Sequence, residues 1–133
     1  MGVTYMPNMR VSERWLDEHP NHRFVFGDNT IRKGKGGAAI LRDHPQSIGF
    51  ITKKFPNRHP NSYYTIEEYQ SVFQEEMIKL KKTIDEHPEW VFIVCPLGSN
   101  LANLHGIWEA TIKPGLMREL EPYFDRCWFL FPP

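Results

Sequence analysis

Cysteine is scarce in this sequence, net charge is absent and no apolar run is long. The two cysteines each lie in an apolar segment, which favours buried free thiols over a disulfide. Lysine plus arginine and aspartate plus glutamate number 16 each, so no summed field would attract a polyanion. The longest apolar segments, residues 90–97 and 127–131, are far shorter than the roughly 18 residues of a membrane helix. Composition therefore argues against a membrane-spanning protein and a dedicated nucleic-acid binder.

The start of the chain also lacks the pattern of a secretory signal, a basic segment followed by an apolar run and a small-residue cleavage site. We therefore expect a cytoplasmic protein. The chain has 133 residues, of which 41% are hydrophobic and 14% aromatic. These values are typical of one globular domain, and we expect it to span residues 1–133.

Segments typical of strands alternate with segments typical of helices. The predicted strands are residues 3–6, 23–26, 47–52, 90–95 and 127–131. The fourth has no polar alternation and is predicted to be central. The predicted helices are residues 12–19, 38–43, 65–85, 107–113 and 114–120, the third opened by a Thr65–Glu68 capping box. This alternation predicts an α/β domain with helices on both faces of the sheet.

The first candidate site begins where the second predicted strand meets Gly27, Asp28 and Asn29, residues that tolerate turns. A glycine-rich segment, residues 34–39, follows and is predicted to open a short helix at Ala38. Glycines let backbone N–H groups approach an anion, and a helix N-terminus adds partial positive charge, so a phosphate would fit here. The segment matches neither the Walker loop nor the dinucleotide fingerprint, and an ordinary flexible turn is the alternative.

Two further segments lie at predicted strand ends. Residues 97–102, Leu-Gly-Ser-Asn-Leu-Ala, follow the central strand, where ligands collect in open α/β sheets; a plain connection is the alternative. Lys53 and Lys54 end the third strand and are typical of a solvated edge. A lysine with a lowered pKa there would instead be a nucleophile for a Schiff base.

Other polar residues are weaker candidates. The six histidines include no pair at i, i+4 spacing and no cysteine pair nearby, which argues against zinc. Glu75 and Glu76 are expected to be solvated on a helix flank. Residues 17–20 and 85–88 both read Asp-Glu-His-Pro, which we interpret as one way of ending a helix used twice, not a repeat architecture.

In combination, these segments resemble the macrodomain superfamily, whose members bind ADP-ribose on a mixed α/β sheet. The nearest branch is the terminal ADP-ribose protein glycohydrolase type, whose motifs correspond to Gly27-Asp28, residues 34–39, residues 51–54 and residues 96–101. That branch includes antitoxins that remove ADP-ribose from DNA, with a similar Pro-Leu-Gly start to the phosphate loop. The sequence is also similar to small macro-like proteins of phages and bacteria.

The resemblance implies a three-layer macrodomain-like fold with a mixed sheet, no cofactor, no membrane partner and, for a phage protein, the host cytoplasm. It implies that Asp28 contacts the adenine amino group and that Gly36 and Gly37 line the distal ribose. Gly98, Ser99 and Asn100 would cradle the diphosphate. The wider set of implied ligand-binding residues is Gly27, Asn29, Gly34, Ala38, Thr52, Lys53 and Leu101.

Lys53 takes the position of the lysine that attacks the anomeric carbon in the glycohydrolase. The acidic partner of that lysine falls at Ala102, which can neither accept nor donate a proton, and Asn100 replaces a glycine. Our leading hypothesis is therefore binding of ADP-ribose or a related nucleotide, free or on ADP-ribosylated protein or DNA. The alternatives are a glycohydrolase with Lys53 as nucleophile, a phage-type protein that sequesters an ADP-ribose-derived signal, and a small domain that acts through protein contacts.

Overall fold

The computed structural model describes residues 2–133 and contains five strands and three α-helices in that range. The strands are β1 (Thr4–Tyr5), β2 (His22–Asn29), β3 (Ser47–Lys53), β4 (Val91–Val94) and β5 (Cys127–Phe129). The α-helices are α1 (Glu13–Glu18), α2 (Ile66–Glu86) and α3 (Lys113–Glu119). Short 3₁₀-helices cover Gly37–Leu41, Pro60–Ser62 and Glu121–Arg126, and a π-helical turn, Trp108–Ile112, leads into α3.

The strands form one sheet in the order β1-β5-β4-β2-β3. The α/β class is confirmed, and β4 is the central strand, as predicted. All four strand pairings are parallel, where the resemblance implies a mixed sheet. The antiparallel contact in the described residues is an isolated bridge between Lys53 and Tyr63.

Helical segments cover both faces of the sheet and make three layers. The chain moves outward from β2 to β3 and then returns across β2 to β4, and right-handed crossovers place these two connections on opposite faces. On one face, Trp15 of α1 lies 6.4 Å from Trp128 of β5, ring centroid to centroid. On the other, Phe73 of α2 lies 5.8 Å from Phe50 of β3. Core side chains thus fill both interfaces between layers.

Helix α2 forms where the sequence predicts it. The Thr65 hydroxyl accepts a hydrogen bond from the Glu68 backbone N–H at 3.2 Å, and the Glu68 carboxylate accepts one from the Thr65 N–H at 3.0 Å. Both bonds satisfy donors that the first helical turn would otherwise leave unpaired. The Thr65 N–H and the Lys54 ammonium lower the pKa of Glu68 to about 2. The buried face of α2 consists of Tyr69, Phe73, Glu76, Met77, Leu80 and Ile84.

The sequence predicts a solvated Glu76, and this prediction is wrong. Glu76 is buried against the edge strand β3, where its carboxylate accepts a hydrogen bond from the Ile51 backbone N–H at 2.7 Å. The Tyr69 hydroxyl donates to the Ile51 carbonyl at 2.6 Å. Helix α2 therefore satisfies both backbone groups of Ile51 on the outer side of β3, where no further strand pairs. Glu75, by contrast, is exposed as predicted.

Two predictions near the first candidate site are also wrong in detail. Gly27, Asp28 and Asn29 are not a turn but the last residues of β2, because β3 continues to pair with them. The predicted helix at residues 38–43 is a 3₁₀-helix, Gly37–Leu41, and therefore not an α-helix whose N-terminus opens toward an anion.

The two Asp-Glu-His-Pro segments end their helices in the same way, as the sequence predicts. His19 and His87 have nearly identical backbone angles, φ −129° and ψ 71° against φ −132° and ψ 72°. Each histidine stacks on a tryptophan, His19 on Trp15 at 3.8 Å and His87 on Trp90 at 3.6 Å between ring centroids. Each N–H also bonds a carbonyl three residues back.

The cysteines are buried and unbonded to one another, as predicted. Burial raises the pKa of both the Cys95 and the Cys127 thiols to about 12, so both stay protonated. No helix within residues 2–133 is both long and apolar enough to cross a membrane.

Candidate functional site

The candidate site is a cleft at the carboxyl ends of β2 and β4. The chain leaves β2 toward one edge of the sheet and β4 toward the other, so this is the topological switch point where open α/β sheets bind ligands. Two segments form its walls, the glycine loop (residues 33–39) and the Gly-Ser loop (residues 97–102). The cleft has a volume of about 430 Å³, within the range of small-molecule sites.

Every residue that the sequence analysis selects for ligand binding lines this one cleft. They are Gly27, Asp28, Asn29, Gly34, Gly36, Gly37, Ala38, Thr52, Lys53, Gly98, Ser99, Asn100 and Leu101. The segments are up to 74 residues apart in the chain, from position 27 to position 101. Parallel strands explain this convergence, because their carboxyl ends meet at one edge of the sheet.

The floor of the cleft depends on two glycines that lie close together. A Cβ on Gly27 would stand 3.2 Å from the Thr52 hydroxyl and 3.6 Å from the Gly98 backbone nitrogen. Gly98 has a φ of +73°, and a Cβ there would stand 2.8 Å from Ile112 Cδ1. The Gly-Ser loop therefore reaches the end of β2 because neither position carries a side chain.

The two loops also touch each other across the cleft. The Cδ1 atom of Leu101 lies 3.6 Å from the position of a Cβ on Gly36 and 3.7 Å from that of a Cβ on Gly37. Gly34, with a φ of +92°, packs against Pro56 in the segment after β3. Each wall of the cleft is thus supported by a neighbouring segment.

Both walls of the cleft offer backbone donors. Within residues 2–133, several N–H groups of the two loops have no protein acceptor, namely those of Gly34, Lys35, Gly36, Gly98, Asn100 and Leu101. Clustered main-chain N–H groups in tight loops form anion-binding concavities. Exposed loops that carry such donors are suited to the oxygens of a phosphate or diphosphate.

Asp28 is fully engaged by the protein. Its side chain is 2% exposed, and it forms ion pairs with Arg42 and, at 3.0 Å, with Arg32. Its Oδ1 atom also accepts a hydrogen bond from the Asn29 backbone N–H at 2.8 Å. Gly49 provides space for the carboxylate, since a Cβ there would clash with Oδ2.

Arg42 is a cleft residue that the sequence analysis does not select. Its guanidinium donates to the carbonyls of Gly34 at 2.9 Å and Lys33 at 3.1 Å, as well as to Asp28. It also lies 5.3 Å from the centroid of the Phe26 ring. Asn29 holds the start of the glycine loop, because its side-chain amide donates to the Lys33 carbonyl at 2.7 Å. The hydrogen-bond partners of Arg42 and Asn29 do not form a sequence motif that would identify Arg42 as a cleft residue.

Lys53 lines the cleft but points its amine at the segment after β3. The Nζ atom donates to the Asn57 carbonyl at 2.7 Å and lies 4.5 Å from the centroid of the Tyr63 ring. Burial lowers the pKa of Lys53, and the nearby Arg58 lowers it further. The neutral, nucleophilic form of the amine is therefore easier to reach by loss of a proton than in an ordinary lysine.

The charge of the cleft is mainly positive. Its lining holds four basic residues, Lys33, Lys35, Arg42 and Lys53, against the single acid Asp28, in a chain of net charge +0. Ala102 is buried in the lining, where the glycohydrolase pattern requires an acid. Because Arg42 pairs with Asp28 and Lys35 with Asp43, the positive surplus of the lining comes from Lys33 and Lys53. The one carboxylate of the lining, that of Asp28, is held in ion pairs and is not free to act as a general acid or base.

No group of three or more potential metal ligands occurs in the part of the chain that the structure describes. No curated protein and no solved structure is detectably similar to the chain. One family model matches residues 6–113, and it is described as a family of unknown function (DUF7831). The match contains β2, β3, β4 and all the loops that line the cleft. The chain therefore belongs to the DUF7831 family.

Proposed function

We propose that this protein binds ADP-ribose or a related nucleotide in the cleft between the glycine loop and the Gly-Ser loop. The observation that carries the proposal is the set of backbone N–H groups without a protein acceptor in both loops. A diphosphate between the loops would accept hydrogen bonds from both walls. The surplus of basic side chains in the lining supports the same ligand class, because it favours a doubly charged anion over a neutral sugar.

The cleft is better suited to binding than to hydrolysis. A general acid or base must reach the scissile bond, and the lone carboxylate in the lining is paired with two arginines. The ligand would be free ADP-ribose, an ADP-ribosylated protein or DNA, or an ADP-ribose-derived signal that the protein sequesters. These alternatives share one pocket and differ in what lies outside it.

A second candidate function is a glycohydrolase with Lys53 as nucleophile. The observation in its favour is that Lys53 lines the cleft and that burial lowers the pKa of its amine. The attacking amine would have to leave the Asn57 carbonyl, and water or substrate would have to supply the acid.

Release of ADP-ribose from modified protein and modified DNA separates the two functions. A binding protein gives calorimetric heat with ADP-ribose and no release from either substrate. A glycohydrolase gives release that Lys53→Ala abolishes. Lys54→Ala is the matched control, because Lys54 follows directly but is bonded to Glu68 at 2.9 Å and does not line the cleft.

A further inference from the structure

Both oxygens of the Asp28 carboxylate are hydrogen-bonded within the protein. Oδ1 accepts hydrogen bonds from the Asn29 N–H and from Arg42, and Oδ2 accepts one from Arg32. The backbone of Gly49 packs against Oδ2. The Asp28 side chain is 2% exposed, so its carboxylate is covered by the groups that bind it and is not presented to the cleft.

Reading an adenine amino group would require Asp28 to give up one of its arginines. Losing one arginine would remove a charge-assisted hydrogen bond from a buried carboxylate, while the other arginine stays paired with it. A hydrogen bond from the neutral adenine amine is weaker than the charged bond from the arginine that it would displace. The carboxylate is therefore a poor contact for the base.

The same ion pair has another effect on the cleft. Arg42 is 12% exposed and carries hydrogen bonds from its guanidinium to the carbonyls of Lys33 and Gly34. Those two carbonyls thereby point toward Arg42, and the N–H of each trans peptide points the opposite way from its carbonyl. The N–H groups that follow them, at Gly34 and Lys35, belong to the set that has no protein acceptor.

We propose that Asp28 and Arg42 are positioning residues for the glycine loop, and that the cleft does not select the amino group of the base. This inference rests on the proposed function and specifies its ligand class. The site recognises a nucleoside diphosphate ribose by its diphosphate and ribose, and it accepts a base with a carbonyl oxygen in place of the adenine amine.

The test compares ADP-ribose with inosine diphosphate ribose, in which hypoxanthine replaces adenine, by calorimetry on the unaltered protein. We expect dissociation constants within about threefold of each other, since the Asp28 carboxylate is already bonded to its arginines. A tenfold or greater preference for ADP-ribose would overturn the inference and leave the proposed function intact. If neither ligand bound, the proposed function would fail, and this inference with it.

Two variants add a readout that a base contact and a positioning pair affect differently. Asp28→Asn and Arg42→Lys are each expected to weaken both ligands by the same factor, about tenfold, and to leave their ratio unchanged. If Asp28 read the base, Asp28→Asn would weaken ADP-ribose alone. Arg118→Lys is the control and should leave both affinities unchanged, because Arg118 also pairs with a carboxylate, that of Glu119 at 3.3 Å, but does not line the cleft. The ratio for the unaltered protein decides the question even if a variant fails to fold.

Discussion

Leu101 reaches across the cleft to Gly36, with its Cδ1 atom 3.6 Å from the position that a Cβ on Gly36 would take. Leu101 is 52% exposed and still bridges the two walls. A leucine that is half exposed contributes little to folding. We expect its main effect to be on access to the cleft.

Leu101→Ala should therefore change ligand binding more than stability. We expect the dissociation rate of ADP-ribose to rise about fivefold, with the free energy of unfolding unchanged to within about 0.5 kcal/mol. Stopped-flow dissociation and urea unfolding measure the two quantities. Leu104→Ala is the control, because Leu104 is 60% exposed and does not line the cleft. Equal dissociation rates for both variants would contradict the bridging role.

Alanine substitutions at Gly98 and Gly106 distinguish the effect of backbone strain from the effect of a blocked cleft. Their φ angles are +73° and +80°, so alanine at either position costs about 1–2 kcal/mol of stability. Only Gly98→Ala would also push a Cβ to within 2.8 Å of Ile112 Cδ1, while Gly106 has open space around it. We expect both variants to lose stability and only Gly98→Ala to lose ADP-ribose binding, measured by calorimetry. Loss of binding in both would mean that strain alone controls the cleft.

The hydrogen bond between the Glu76 carboxylate and the edge strand β3 should stabilise the fold. Glu76→Ala leaves the Ile51 N–H without its acceptor, and an unsatisfied buried donor costs about 1–3 kcal/mol. Glu76→Gln keeps an oxygen acceptor and should cost clearly less. Urea unfolding compares both with Glu75→Ala, an exposed neighbour whose loss should be nearly neutral. A Glu76→Ala variant as stable as Glu75→Ala would show that the bond contributes nothing.

His22 makes stability depend on pH. Burial lowers its pKa from 6.5, and the nearby His19 lowers it further; neither ring nitrogen has a hydrogen-bond partner among the described residues. Below pH 6.5 the unfolded chain binds a proton at His22 that the folded chain does not bind. The free energy of unfolding is therefore unaffected by His22 above that pH and decreases as the pH falls below it.

His22→Phe keeps an aromatic ring between Trp15 and Trp128 and removes the titration. We expect this variant to lose less stability than the unaltered protein between about pH 7 and pH 5.5, measured by urea unfolding at both values. His105→Phe, in an exposed segment, should keep the original dependence. An identical slope in His22→Phe and the unaltered protein would assign the pH effect to other groups.

The sequence predicts the parts of the fold that rest on local chemistry. The Thr65–Glu68 capping box and the apolar periodicity behind it determine α2, and the unbroken apolar run of β4 marks the central strand. The cleft follows from these elements, because loops at the carboxyl ends of parallel strands come together.

What the sequence does not predict depends on distant partners. Gly27, Asp28 and Asn29 have turn propensity, but pairing with β3 holds them as strand. Glu76 is buried because the edge N–H of Ile51, 25 residues earlier, needs an acceptor. Arg42 becomes a cleft residue only when the fold brings it to Asp28, 14 residues away, and to the glycine loop. No local pattern contains these relationships.

Calorimetric titration of the unaltered protein with ADP-ribose, with AMP and NAD as comparison ligands, tests the binding cleft most directly. A diphosphate held by both loops predicts micromolar affinity for ADP-ribose, about −8 kcal/mol, and weaker binding of AMP, which has one phosphate. No heat with any of the three ligands would contradict nucleotide binding in this cleft.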